Sequence, residues 1–116
     1  MHPLLTPAHE TYRQHIREFA VSEVRERARK LDETGSFSAE LTRKMGDFGL
    51  FGINLPEKYG GQNRDTLSYI IAVEELARID GSQAATVASH NSLGIGPVHQ
   101  FGTEKQKADY LPGFCT

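Results

Sequence analysis

Few side chains in this sequence could take part in chemistry. Glu74 and Glu75 are neighbouring carboxylates, but consecutive helix positions diverge by about 100° around the axis, so the two do not converge on a shared proton. They read as structural, one of them partly buried, with Glu74 pairing with Arg78 four residues on. His90 and His99 stand nine apart, and no third His, Cys or carboxylate falls at ligand spacing, so a metal site is not expected. Both read as satisfied or exposed histidines. The Gly60-Gly61 pair lacks the strand–turn–helix setting and the lysine of a phosphate loop. Cys115 has no base or orienting partner in the pattern. No catalytic, cofactor-binding or metal-ligating residue is expected in this chain.

The stretch Ser82–Phe101 is unusual for another reason. Ala84, Ala85, Ala88, Ser89, Ser92, Gly94 and Gly96 are all small. Ala85, Ser89, Ser92 and Gly96 follow three- and four-residue steps and so line one helix face. Each glycine costs a helix about 1 kcal/mol relative to alanine. Pro97 removes one backbone donor and leaves the Leu93 carbonyl without its usual partner. Two uses fit such a face: close packing of helix against helix, or one wall of a groove for a slender apolar ligand.

The surrounding pattern is helical almost throughout. Thr6-Pro7 is a helix start, a hydroxyl cap followed by proline at the first position. Tyr12, Ile16, Phe19, Ala20, Val24, Ala28 and Leu31 then form one stripe, predicting a helix of about seven turns that Gly35 closes. Its opposite face, dense in Arg and Glu, reads as a solvated surface of i,i+4 pairs. A second helix opens at Ser38 and stops at Gly49. Phe51, Ile53 and Leu55 alternate in the connector, which predicts a short extended piece before Pro56 and the glycine pair. Asp65 caps a third helix, Thr66 to Ile79, apolar around most of its circumference and therefore central. Gly81 ends it and Ser82 opens the fourth helix. Thr103 and Gln106 form a capping box for a fifth, expected to end near Leu111 before Pro112. The fold class is all-α, an antiparallel bundle of four to five helices forming a single domain over 1–116.

Bulk properties agree. The 116 residues carry 13 basic and 15 acidic side chains, a formal net charge of -2, which argues against a nucleic-acid partner. No apolar run is long enough to span a membrane. One cysteine excludes an internal disulfide and suits a reducing compartment, and no targeting signal is read at the start, so the cytoplasm is the expected location.

Four segments, in order, resemble the acyl-CoA dehydrogenase family: Gly-Leu-Phe-Gly-Ile-Asn-Leu-Pro-Glu-Lys-Tyr-Gly-Gly (49–61), Leu-Ser-Tyr-Ile-Ile-Ala-Val-Glu-Glu-Leu-Ala-Arg-Ile-Asp-Gly-Ser (67–82), His-Asn-Ser-Leu-Gly-Ile-Gly-Pro-Val (90–98), and Phe-Gly-Thr-Glu-Lys-Gln-Lys (101–107) with Tyr-Leu-Pro (110–112). The likeness covers nearly the whole chain, with Met1 to Ala28 contributing only helical character. It implies the N-terminal helical domain of a FAD enzyme that removes hydrogens from the α and β carbons of an acyl-CoA and passes electrons to an electron-transferring flavoprotein. The middle β domain that binds flavin, and the C-terminal helical domain with the carboxylate base, are expected outside this sequence. A homo-oligomer, dimer or tetramer, is expected of the full-length form.

Carried over residue by residue, the same resemblance makes Thr86, Ser89, His90 and Leu93 contacts of the acyl chain. Ser89 and His90 are polar for the floor of a long-chain pocket. Ala84 stands where glutaryl-specific members carry an arginine, which argues against a dicarboxylic substrate. Two other readings stay open at this point: a non-catalytic helical interaction module, and the same domain of an acyl-CoA oxidase-like or nitroalkane oxidase-like relative.

Overall fold

In the computed structural model, which describes residues 2–116, helices occupy the positions that the caps announce, and no strand occurs among the described residues. Helix α1 spans Pro7–Phe19. Thr6 caps it, accepting from the His9 amide, and His9 returns a bond to the Thr6 amide, so a histidine completes the capping box. The rod then widens into a π turn, Ala20–Val24, and continues as α2, Arg25–Thr34, to Gly35 at φ +65°. The expected seven-turn helix is therefore continuous but not regular. The wide turn shifts the helical phase: Ile16, Ala20 and Val24 are fully buried, whereas nothing in α2 is, and Ala28 and Leu31 are only half-buried.

Helix α3 runs Ala39–Asp47 with Ser38 as cap and buries Leu41 and Met45. The connector that follows is a chain of turns around a short 3-10 segment, Glu57–Tyr59, and not the extended piece expected. Phe51, Ile53 and Leu55 are all buried, so their alternation does not divide a core side from a solvent side. The loop folds on itself: Gln62, Asn63 and Arg64 donate to the carbonyls of Gly52, Leu55 and Ile53 at 2.9 Å each. That return passes so close that a Cβ on Gly61 would lie 2.1 Å from the Leu55 carbonyl oxygen.

Helix α4, Thr66–Ala77, is capped by Asp65, which accepts from both the amide and hydroxyl of Ser68. It ends two residues before the expected Ile79, because Asp80 is needed as the cap of α5, Gly81–Ser89. Gly81 is thus the first residue of that helix and not the terminator of the previous one. Helix α4 packs on α1 and on α5, as a central helix should, although Ile70 stays 50 % exposed. The rod of α5 passes through a second π turn, His90–Ile95, into α6, Gly96–Phe101, and α7 closes the chain over Glu104–Phe114. Helix α7 runs past Pro112, contrary to expectation. A proline in the final turn forfeits one hydrogen bond there but does not have to stop the helix.

The main core joins Ile16, Val24, Leu41, Met45, Ile53 and Leu76, and a second cluster gathers Leu55, Tyr59, Ile95, Leu111 and Cys115. Each fully buried aliphatic side chain contributes about 1.5–3 kcal/mol. The buried carboxylate is Glu75, not Glu74. Arg13 and Arg17 of α1 reach it at 2.8 and 3.0 Å, and Arg78, three residues on, lies at 3.7 Å. Glu74 is exposed and takes Arg13 at 3.1 Å. The expected Glu74–Arg78 pair gives way to this inter-helical cluster because the phase of α4 turns position 75 toward α1. Burial opposes ionisation of Glu75, but the Arg17 and Arg13 hydrogen bonds outweigh it and lower the carboxyl's pKa.

Candidate functional site

The helical rod 81–101 carries the residues that the family resemblance makes acyl-chain contacts. Asp80 starts it, accepting from the Ser82 amide at 2.9 Å. On its inner side Gln83, Ala84 and Val87 are buried. Farther on, Pro97 offers no N–H and glycines stand at 94 and 96, and the backbone widens into the π turn just before them.

Within that turn Asn91 fixes the register. Its Oδ1 accepts from the Gly52 and Ile53 amides at 2.8 and 3.1 Å, and its Nδ2 donates to the Leu50 and Val87 carbonyls, both at 2.8 Å. All four bonding capacities of the amide are used in a site only 6 % exposed. Sequence reading passed over this residue. The available signal was a polar amide four residues after Val87 on the apolar side of the helix.

With the inner side so pinned, Thr86 is half-buried and Ser89 and Leu93 are exposed, Leu93 to 74 %. These three share one outward face. Thr86 Oγ1 donates to the Ser82 carbonyl at 3.1 Å. His90 is different. Its Nε2 donates to the Phe114 carbonyl at 2.6 Å, and its ring stands edge-on to Phe51 at 4.7 Å and Phe114 at 6.1 Å. The structure therefore brings Thr86, Ser89 and Leu93 together and ties the His90 ring to the end of α7. Of the small-residue stripe, Ala85, Ser89 and Ser92 are exposed and Gly96 is half-buried, so no helix among the described residues covers its first three positions.

Clefts flank the rod on both sides. One of about 330 Å³ lies between α2 and the start of α5, with Leu31, Phe37, Gln83 and Thr86 on its walls. Another of about 340 Å³ lies toward α4, lined by Tyr69, Ser92, Ile95 and His99. No Lys, Arg, Asp or Glu occurs between positions 81 and 103. The face offers apolar area and a few hydroxyls, and it has no cation to neutralise a pyrophosphate. Chemically it suits an alkyl chain and does not fit the dinucleotide part of a flavin or the phosphates of a coenzyme.

The other candidates stay structural. His99 meets the Tyr59 ring at 5.9 Å. Burial pushes the Cys115 thiol up, away from the nucleophilic thiolate, while its Sγ lies 3.9 Å from the Tyr59 carbonyl. No group of three metal-ligating side chains occurs among the described residues. No helix among them is long and apolar enough to cross a membrane.

Fold and surface together define an all-helical domain that presents one open, uncharged, small-residue helix as a wall. Comparison with known proteins makes this specific. The family model described as acyl-CoA dehydrogenase, N-terminal domain, matches residues 6–116, and the chain belongs to that family. It is 45% identical over 107 residues to a short-chain specific acyl-CoA dehydrogenase of Clostridium acetobutylicum, covering 92% of this chain and 28% of that protein. The butyryl-CoA dehydrogenase structure from Megasphaera elsdenii superposes with a TM-score of 0.89 at 34% identity, over 99% of this chain and 31% of that one. A chain from the structure of the electron transferring flavoprotein of Acidaminococcus fermentans superposes with a TM-score of 0.93 at 36% identity, over 99% and 30%. The chain thus spans under a third of the length of these relatives.

Proposed function

We propose that this chain supplies one wall of the acyl pocket in a FAD-dependent acyl-CoA dehydrogenase, an enzyme that desaturates the α and β carbons of an acyl thioester. The observation that carries this reading is the outward line Thr86, Ser89 and Leu93 on a rod whose inner side is pinned by Asn91. Apolar area removed from water by a ligand lying there contributes about 25 cal/mol per Å². Leu93, standing farthest out, sets how far a chain can extend. His90 acts one layer behind the wall by holding the end of α7. The flavin accepts hydride in such enzymes, and it would be held outside this chain, whose open face carries no cation for it. The work of these residues is to orient the acyl group and keep water off it.

A short acyl chain is favoured, in keeping with the hydroxyls on the wall and with the short-chain and butyryl-CoA relatives. The likeness to a chain from an electron transferring flavoprotein structure supports electron delivery to such a partner. We further read the full-length form as a cytoplasmic homo-oligomer.

The test joins this chain to the remaining domains of its parent. Butyryl-, octanoyl- and palmitoyl-CoA are offered with either an electron-transferring flavoprotein or oxygen as acceptor. Butyryl-CoA oxidation through the flavoprotein is expected, and Leu93→Trp should shift preference toward the shortest chains. An unchanged chain-length profile in Leu93→Trp removes Leu93 from the wall. Hydrogen peroxide release without the flavoprotein makes the parent an oxidase.

A further inference from the structure

We propose that His9 is a proton-operated latch that holds the Thr6 amide in the α1 capping box while neutral and releases that amide when protonated. The wiring of the ring carries this. The Thr6 amide donates to His9 Nδ1 at 3.0 Å, so Nδ1 must present a lone pair. Nε2 lies 2.7 Å from Asp65 Oδ2. That carboxylate can only accept, so Nε2 carries the ring's proton. Both nitrogens are committed, which fixes one neutral tautomer in a residue only 8 % exposed.

A second proton has one place to go, Nδ1, where the Thr6 N–H already points. The imidazolium then sets donor against donor at that bond. The Thr6 hydroxyl, 3.0 Å from Nδ1, can take the new proton with a free lone pair, but the Thr6 amide is left without a partner. The other end of the ring behaves oppositely. Asp65, pulled down to about 2 first by the hydroxyl and amide of Ser68, stays ionised through the range in which histidines titrate, so its bond to Nε2–H gains a full opposite charge. Protonation therefore strengthens the tie to α4 while it breaks the Thr6 amide's half of the α1 capping box.

The remaining charged groups on the elements that meet here are otherwise engaged. Glu10 and Arg13 on α1 lie 3.8 Å apart, and Arg13 also reaches Glu74 and Glu75 of α4. Arg64, next to Asp65, lies over the Tyr12 ring at 4.0 Å. In the arm before α1, the His2 ring accepts from the Leu4 amide. Leu5, half-buried against the main core, is the apolar side chain that an open latch would uncover.

The 116-residue chain itself serves for the test. Solvent exchange of the Thr6 and His9 amides is followed by NMR from pH 8 to pH 5.5, corrected for intrinsic exchange, in the unaltered protein and in His9→Gln. Glutamine completes a capping box without titrating. The expected result is a fall in protection of about fivefold to tenfold at the Thr6 amide, the worth of one capping bond, with the His9 amide, still bonded to Thr6 Oγ1, and core amides such as Ala72 unchanged and His9→Gln flat. Equal protection at both pH values, or the same fall in His9→Gln, overturns the latch. Imidazole nitrogen shifts of the unaltered protein at pH 8 give a check that needs no variant: a proton on Nδ1 overturns it and a proton on Nε2 supports it.

Discussion

Two π turns interrupt the two long rods of this molecule, and they are held in different ways. Ala20–Val24 turns Ala20 and Val24 into the main core, both with no exposed surface. His90–Ile95 turns in Asn91 and Ile95, at 6 % and 3 %. The first is secured by packing, which is non-directional and tolerates small shifts. The second is secured by four short hydrogen bonds to two segments of backbone, the connector at 50–53 and Val87 of its own rod, which fix both position and rotation. That difference follows what each rod does. The first needs only to fill space between α3 and α4. In the function proposed above the second presents a defined outer face, and a polar anchor on the inner side sets the angle of everything opposite.

The strongest way to break this comparison is Asn91→Leu. The Gly52 and Ile53 amides and the Leu50 carbonyl would lose their partners, while the Val87 carbonyl keeps the His90 amide, and a buried unsatisfied group costs about 1–3 kcal/mol. Some relaxation of the connector is expected, so the loss of unfolding free energy in urea should be about 4 kcal/mol or more. The matched change in the other rod is Val24→Ala, which removes two buried methyl groups and should cost about 2 kcal/mol. If Val24→Ala proves the more damaging of the two, the polar anchor is not what holds the second rod.

Acid probes the links through α4 and should act more mildly than either substitution. The folded-state pKa values of Glu75 and Asp65 are both lowered, Asp65 to about 2. A carboxyl depressed on folding lends stability that is present above its unfolded value and lost as pH falls through the folded one. Urea midpoints should therefore hold steady from pH 7 to about 5 and decline between the ordinary carboxyl range and pH 2. Asp65→Asn should flatten the lower end of that decline. A decline of the same size in Asp65→Asn would show that the ionised cap plays no part.

The two turns also differ in how legible they were. Gly94, Gly96 and Pro97 announce a disturbed helix in the second rod, because each removes a donor or backbone restraint that a regular helix uses. The sequence of the first rod has no glycine or proline between Ala8 and Thr34, and its apolar stripe runs through Ala20 and Val24 without a break. The π turn there buries Ala20 and Val24 in the core shared with α3 and α4, a long-range packing that no local pattern records. The same limit explains the ionic cluster. Local i,i+4 spacing suggested Glu74 with Arg78, whereas the partners of Glu75 come from a helix some sixty residues earlier. Caps were read almost without error, since a cap is a bond between residues three apart. The exception, Asp80 in place of Ser82, arose because two polar residues, one on either side of Gly81, could each serve.

The smallest expected effect bears most directly on why the second rod keeps its glycines. Gly94 is exposed and its φ is not positive, so no backbone strain requires glycine there. A Cβ at that position would meet only His90 Nδ1, at an ordinary 3.7 Å. Stability alone therefore favours alanine, and Gly94→Ala should raise the unfolding free energy of this chain by about 0.5–1 kcal/mol. A gain of that size means that glycine is retained for the surface it leaves bare, next to Leu93 on the open wall. In the assembled parent the same methyl group would intrude on a ligand lying along that wall, raising KM for acyl-CoA more than it changes kcat. Should Gly94→Ala instead destabilise the chain, the wide turn itself depends on glycine, and the bareness of the wall is a by-product of how the helix is bent.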